Sequence, residues 1–148
     1  MPPDAPGASR PAATLVLQLP NDAAALEPAR RALLEFLAPH APSVQAVYAL
    51  ELVLEEVLTN QIKYANADAA GPQNSLTVTL EPGLVLLQFV DSGVAFDPLQ
   101  APDPKLPSSI DEARVGGLGL MLVRHFAKSA HYERVDGRNR LTIGVALA

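Results

Sequence analysis

The sequence predicts an α+β fold, a two-layer sandwich in which a mixed, mostly antiparallel sheet carries helices on one face. Three observations support this prediction. The predicted elements follow the order strand, two helices, two strands, long loop, helix and two strands. Short turns separate the strands of each pair, which is typical of antiparallel neighbours. The helical segments repeat apolar residues at a spacing that gives each of them one face to bury.

Length and composition fit one domain at residues 14–148, preceded by a flexible Pro- and Ala-rich leader at residues 1–13. No apolar run approaches the ~20 residues of a membrane span, and no signal peptide is recognisable, so we expect a cytoplasmic protein that does not enter membranes. The absence of Cys excludes disulfides and thiolate metal sites. A net charge of −5 without a basic cluster argues against direct binding to nucleic acid.

The first half of the chain is predicted to contain one strand and two helices. Thr14–Leu19 has strand character, and Pro20–Asp22 is suited to cap a helix that runs to about Leu37. Ser43 is a plausible N-cap for a longer helix that ends near Ala65.

A hairpin and a long loop are predicted next. Ser75–Leu80 and Leu84–Val90 resemble strands, and Glu81–Gly83 between them has the composition of a turn. Because Leu84–Val90 is almost wholly apolar, we expect it to be a central strand covered on both faces or nearly so. Ser92–Val115 contains four prolines and is predicted to be a mobile loop.

The C-terminal part is predicted to contain a helix and a second hairpin. The helix extends over Gly117–Ala127, and strands at Ala130–Val135 and Arg140–Leu147 flank the turn signal Asp136-Gly137.

A carboxylate and an amide share one face of the second helix. Glu56 and Asn60 are four residues apart, so they are neighbours on the helix surface, well off its main apolar stripe. Taken alone, the pair is best interpreted as a solvated helix face. The alternative is a proton acceptor beside an oxygen ligand for Mg²⁺. Glu51 and Glu55 are interpreted as ordinary surface acids.

Asp91 follows directly after the apolar strand, where a carboxylate needs a partner if it is partly buried. The exocyclic amine of a purine is one such partner, and Gly93 leaves room for a flat ring to approach the backbone. Taken alone, Asp-Ser-Gly is common turn chemistry.

A glycine cluster, Gly116-Gly117-Leu118-Gly119, opens the third helix. Glycines there allow backbone N–H groups and the positive end of a helix to approach phosphate oxygens, and a flexible hinge is the equally weighted alternative. The cluster is neither a Walker A loop nor a Rossmann fingerprint. Lys105 and Arg114 precede it; they could contact phosphates but fit solvated loop positions better.

Together these three motifs resemble those of the GHKL superfamily of Bergerat-fold ATP-binding proteins, and within it the anti-sigma-factor serine/threonine kinases of the RsbW type. The N box corresponds to Glu56–Tyr64, the G1 box to Asp91–Pro98 and the G2 box to Gly116–Leu122. Tyr132–Thr142 resembles the closing hairpin of these kinases, and the likeness extends over about Leu15–Leu147.

The resemblance implies a role for each motif residue toward ATP and Mg²⁺. It implies a general base at Glu56, a Mg²⁺ ligand at Asn60, an acceptor for adenine at Asp91, a pocket wall at Gly93, phosphate contacts at Gly117 and Gly119, and a water-mediated adenine contact at Thr142.

The resemblance also implies a regulatory switch in the cytoplasm. Such a kinase, often a homodimer, sequesters a sigma factor or a similar regulator, and phosphorylates a Ser or Thr of a small anti-sigma antagonist protein. The alternative is a non-catalytic module that binds ATP and sequesters a partner, which the acid at Glu56 disfavours. The ATP-binding half of a histidine kinase and a gyrase- or chaperone-type ATPase are less expected, because each needs a further domain.

Overall fold

A five-stranded sheet and two long helices form the described part of the chain, residues 13–63, 74–99 and 123–148 of a computed structural model. The elements are β1 (Thr14–Leu19), α1 (Leu26–Leu37), α2 (Val44–Lys63), β2 (Asn74–Glu81), β3 (Leu84–Asp91), β4 (Ser129–Val135) and β5 (Arg138–Ala146). The sheet order is β1-β2-β3-β5-β4, and every pairing among these strands is antiparallel. The predicted α+β class and strand pairs are confirmed.

Both long helices begin near the predicted caps. The Asp22 side chain accepts a hydrogen bond from the Ala24 amide at 2.8 Å and caps a short 3₁₀ turn, which continues into α1. Ser43 Oγ accepts one from the Ala46 amide at 3.0 Å at the start of α2. Each cap satisfies a backbone donor that the first helical turn leaves unpaired.

Two tight turns join the strands of the two hairpins. Pro82 and Gly83 connect β2 to β3, and Asp136 and Gly137 connect β4 to β5. The backbone φ angles of Asp136 and Gly137 are 51° and 75°. Positive φ at both central residues defines the turn whose twist matches antiparallel strands, and Asp-Gly tolerates it well.

The core lies between one face of the sheet, here called the inner face, and the two helices. Its buried side chains come from α1, α2 and every second residue of β2, β3 and β5. The largest of them are Phe89, Leu33, Leu37, Leu50, Leu54, Leu76, Leu87 and Ile143. Their removal from water is the main force that holds the helices on the sheet.

β3 occupies the centre of the sheet, as predicted, and its two faces are covered to different extents. Val85, Leu87 and Phe89 are buried on the inner face. Leu86 and Val90 alternate with them on the opposite, outer face and are only half-buried. The described helices pack on the inner face alone, so apolar residues on the outer face keep part of their surface exposed.

Several predicted segments fall wholly or partly outside the described residues. These include most of the leader, the end of the second predicted helix, most of the Ser92–Val115 loop and the start of the third predicted helix. Residues 123–126 are helical, in agreement with the last turn of that helix. Among the described helices, none combines the length and apolarity that crossing a bilayer requires.

Candidate functional site

A pocket opens where the C-terminal turns of α2 meet the end of β3 and the start of β5. Apolar walls enclose a small number of polar groups, the usual composition of a small-molecule site. The lining residues are Val57, Asn60 and Gln61 from α2, Asp91 from β3, Phe96 and Pro98 from the following segment, and Tyr132, Asn139 and Leu141 from the last hairpin.

Among the described residues, three donors from three parts of the chain hold the Asp91 carboxylate. Its Oδ1 accepts hydrogen bonds from the Gly93 amide at 2.8 Å and from Asn139 Nδ2 at 2.9 Å. Its Oδ2 accepts one from Gln61 Nε2 at 3.2 Å. A carboxylate can accept about four hydrogen bonds, so these donors orient Asp91 and leave acceptor capacity for a ligand.

Asn139 is the most connected side chain of the pocket and is only 7% exposed. Through Nδ2 it donates to Asp91 and, at 2.8 Å, to the carbonyl oxygen of Val94. Through Oδ1 it accepts from the Tyr132 hydroxyl at 2.5 Å and from Arg134 Nη1 at 3.1 Å. Asn139 therefore joins the last hairpin to the segment that follows β3.

Gln61 lies on the apolar side of α2, one turn after Val57, and is 8% exposed. Its Nε2 group donates to Asp91. Among the described residues, its Oε1 atom is fully buried and has no hydrogen-bond partner. A polar residue at this depth is unusual, because a buried amide that lacks partners costs stability.

Glu56 precedes Asn60 by one helical turn, and both side chains are half-buried. Desolvation raises the pKa of the Glu56 carboxyl, and the charge of the adjacent Glu55 raises it further. The periodicity of the helix places Glu56 and Asn60 on the same side of α2. Asn60 lines the pocket and Glu56 is not among its described lining residues.

The other predicted acids of α2 differ in their surroundings. Glu51 Oε1 lies 3.5 Å from Arg30 Nε, an ion pair that links α2 to α1 at the surface. Glu55 is exposed. Neither of them lines the pocket, and the described residues contain no group of three or more Asp, Glu, His or Cys side chains suited to hold a metal.

The structure contradicts the prediction that Thr142 approaches adenine through a water molecule. Thr142 pairs with Gln88 on one side and His131 on the other, in a row on the outer face of the sheet. Side chains alternate between the faces of a strand, so Asn139 and Leu141 reach the pocket whereas Thr142 points away from it.

Sequence reasoning missed Asn139 and Gln61, although each carries a detectable signal. Counting from the Asp136-Gly137 turn, Asn139 alternates in step with the apolar residues Leu141 and Ile143. Gln61 continues the apolar spacing of α2. In both cases a polar residue occupies a position where the periodic pattern predicts a buried apolar residue.

The remaining predicted residues have mixed outcomes. Gly93 is buried and its amide binds Asp91, so it shapes the turn beside the pocket. Gly117 and Gly119 lie outside the described residues, as do Lys105 and Arg114. Their contacts with phosphates stay predictions.

The chain is similar to known proteins over most of its length. The sequence profile of the histidine kinase-like ATPase domain matches residues 19–145. A protein named serine/threonine-protein kinase BtrW, from Bordetella bronchiseptica, is 38% identical over 101 residues, which are 68% of this chain and 71% of that protein.

The fold is also found in a solved structure, that of the RsbU and RsbW domains of Rv1364c from Mycobacterium tuberculosis. The match has a TM-score of 0.67 at 16% sequence identity and covers 91% of this chain. It covers 32% of the longer chain, so this protein spans about a third of that relative. At such low identity the match establishes the shared fold.

We predict that Asn139→Ala lowers the free energy of unfolding by about 1–3 kcal/mol, because buried partners of Asn139 lose their hydrogen bonds. Thr142→Val, which replaces a hydroxyl by a methyl group on the outer face of the same strand, is expected to alter it by less than about 0.5 kcal/mol. Urea denaturation followed by circular dichroism measures both. Equal losses in the two variants would contradict the assignment of Asn139 as the hub of the pocket.

Proposed function

Because the chain belongs to the family of histidine kinase-like ATPase domains, we propose that it binds ATP in this pocket and transfers the γ-phosphoryl group to a Ser or Thr of a protein substrate. The observation that carries the proposal is the Asp91 carboxylate, held by three protein donors at the wall of an apolar pocket. The name of the related kinase from Bordetella bronchiseptica supports the type of reaction.

Asp91 would recognise the base. Its oriented carboxylate retains acceptor capacity for the exocyclic amine of adenine. Val57, Phe96 and Leu141 line the same pocket and offer apolar surface to a flat ring. An oriented acceptor beside apolar walls discriminates between bases by hydrogen bonding and retains the ring by burial.

Asn60 would serve the phosphate end of the nucleotide. Its side-chain oxygen is a hard donor on the wall of the pocket, which suits a Mg²⁺ ion that is shared with phosphates. Mg²⁺, when bound, neutralises part of the phosphate charge. We assign further phosphate contacts to the backbone amides of Gly117 and Gly119, on the basis of their glycine-rich pattern.

Glu56 would act as the general base toward the hydroxyl of the substrate protein. Desolvation raises the pKa of this carboxyl, which makes its ionised form a stronger proton acceptor. Its position one turn before Asn60 places it on the side of α2 where we assign the phosphates. A module that only binds ATP needs no general base. Glu56 is therefore the residue that distinguishes the kinase hypothesis from the hypothesis of a non-catalytic module.

The likeness to RsbW-type kinases supports a regulatory role in the cytoplasm. We propose that the substrate is a small anti-sigma antagonist protein, that the phosphorylated antagonist leaves, and that a sigma factor or a similar regulator is then held again. Phosphorylation of the antagonist adds negative charge and strong acceptors at the contact surface, which is a direct way to release it.

We also propose that two copies associate through the outer face of the sheet. Val16 of β1 is 59% exposed on this face, and Leu86 and Val90 of β3, two strands away, are half-buried on the same face. Exposed apolar side chains such as these, on a face that also carries the polar Thr77 and Gln88, are typical of a surface that is covered by a partner.

Replacement of Glu56, the proposed general base, tests its catalytic role. We expect Glu56→Gln to retain ATP affinity and to lower the rate of phosphoryl transfer by ~10²-fold or more, the scale of general-base catalysis. The assay follows labelled γ-phosphate from ATP into candidate antagonist proteins. Glu55→Gln, the same change on the adjacent exposed acid, is the matched control and should retain the rate at neutral pH. Unchanged transfer in Glu56→Gln would favour the non-catalytic module.

The pH dependence follows from the raised pKa of Glu56. Transfer should decline as the pH falls through this pKa, with a midpoint above that of an ordinary Glu, and in Glu55→Gln the midpoint should move down because one cause of the shift is removed. Ionisation of Glu56 also disfavours the folded state, so the wild type should lose stability relative to Glu56→Gln as the pH rises through the same value.

Asp91→Asn tests the recognition of adenine. An amide at this position turns one of the oxygens that accept from Gln61 or Asn139 into a donor, so we expect ATP affinity to fall by about 10- to 100-fold. Calorimetric titration in the presence of Mg²⁺ measures the loss. Asp97→Asn is the matched control, because the Asp97 carboxylate caps the Leu99 amide outside the pocket lining. Retained affinity in Asp91→Asn would contradict the adenine assignment.

The molecular mass of the protein in solution shows whether two copies associate. We expect light scattering to give a dimer mass at micromolar concentration for the wild type, and a monomer mass for Val16→Glu, which places a charge on the outer face of the sheet. Glu27→Gln on the exposed surface of α1 is the control. A monomeric wild type at all concentrations would refute this part of the proposal.

A further inference from the structure

One polar atom of the pocket remains without a role in the scheme above, the amide oxygen of Gln61. Gln61 is 8% exposed and lines the same pocket wall as Asp91 and Asn60. Within the described segments its Oε1 is buried and has no hydrogen-bond partner. A buried acceptor without a partner destabilises the protein unless a ligand or a water molecule supplies the missing donor.

The orientation of the Gln61 amide follows from the chemistry of its neighbour. Nε2 lies 3.2 Å from Asp91 Oδ2. A carboxylate oxygen only accepts hydrogen bonds, so the NH₂ end of the amide must face it and the oxygen end must be the free one. The hydrogen bond therefore fixes Oε1 as a second acceptor adjacent to the carboxylate.

Two adjacent acceptors match a ligand group that has two N–H bonds on one nitrogen. The exocyclic amine of adenine is such a group. A carbonyl oxygen at the same ring position, as in guanine or hypoxanthine, would face both acceptors and leave them unpaired, which is the stronger form of discrimination between bases.

We propose that Gln61 is a base-recognition residue whose Oε1 accepts the second N–H of the adenine amine while Asp91 accepts the first. The proposal rests on the ATP-binding function inferred above. It assigns the selectivity for an amino-substituted purine to a pair of side chains, one from α2 and one from β3.

The test combines one variant with one ligand modification. Wild type and Gln61→Met, which has a side chain of similar size without an acceptor, are titrated with Mg²⁺ and either ATP or N6-methyl-ATP. In the wild type, methylation removes one of the two N–H donors, and we expect affinity to fall about fivefold, the scale of one neutral hydrogen bond. In Gln61→Met the methyl group lies against an apolar side chain, so the two ligands should bind equally.

This comparison distinguishes direct recognition of adenine by Gln61 from a role in which Gln61 only orients Asp91. If Gln61 only orients Asp91, or if a water molecule satisfies Oε1, methylation will have the same effect in both proteins, and that result would overturn the proposal. Steric exclusion of the methyl group would also persist in Gln61→Met, because the side chains are alike in size. Gln88→Met, the same substitution on the outer face, is the control and should retain the wild-type ratio.

A second measurement uses the wild type alone, so the proposal stays testable if Gln61→Met does not fold. Affinity should decrease from ATP to N6-methyl-ATP and again to N6,N6-dimethyl-ATP, which lacks both donors. Equal affinities for ATP and N6-methyl-ATP would exclude the second acceptor. Failure of the wild type to bind ATP at all would instead refute the proposed function, so the two failures are distinguishable.

Discussion

The hydrogen bonds that orient the Asp91 carboxylate are the constraint on which the rest of the pocket depends. They come from α2, from the turn after β3 and from β5, three parts of the chain that are far apart in sequence. A partly buried carboxylate is expensive unless it is well solvated by fixed donors. The pocket therefore takes its shape only when the helix layer and the sheet are both in place.

This dependence explains why the polar groups of the site form a network and not a set of isolated contacts. Asn139 binds Asp91 on one side, and Tyr132 and Arg134 on the other. Hydrogen bonds in a low-dielectric interior are stronger than in water, and each one restrains the next. The network holds the carboxylate ready for a ligand, and little reorganisation is needed when one binds.

Much of the fold and part of the pocket could be predicted from the sequence. The helix caps at Asp22 and Ser43 and the turn at Asp136-Gly137 are local chemistry, which a sequence reveals directly. The choice of Thr142 was wrong because motif likeness alone does not determine which face of a strand a residue occupies.

Two features of the site could not be predicted from the sequence, because they depend on tertiary packing. The hydrogen bond from Gln61 to Asp91 crosses between elements 30 residues apart, and no local pattern specifies such a pairing. The raised pKa of Glu56 also depends on burial by packed neighbours. Sequence reasoning found Glu56, Asn60 and Asp91 as candidates, whereas their surroundings had to be observed.

The two-residue turn between β4 and β5 has a consequence for how such proteins can diverge. Because the turn has only two residues, Val135 pairs directly with Arg138. This pairing determines which face of the sheet each later residue of β5 occupies. Insertion of one residue downstream of the turn would exchange the two faces of β5, moving Asn139 out and bringing a guanidinium toward the aspartate. Length changes at this hairpin should therefore be tolerated far less than substitutions within it.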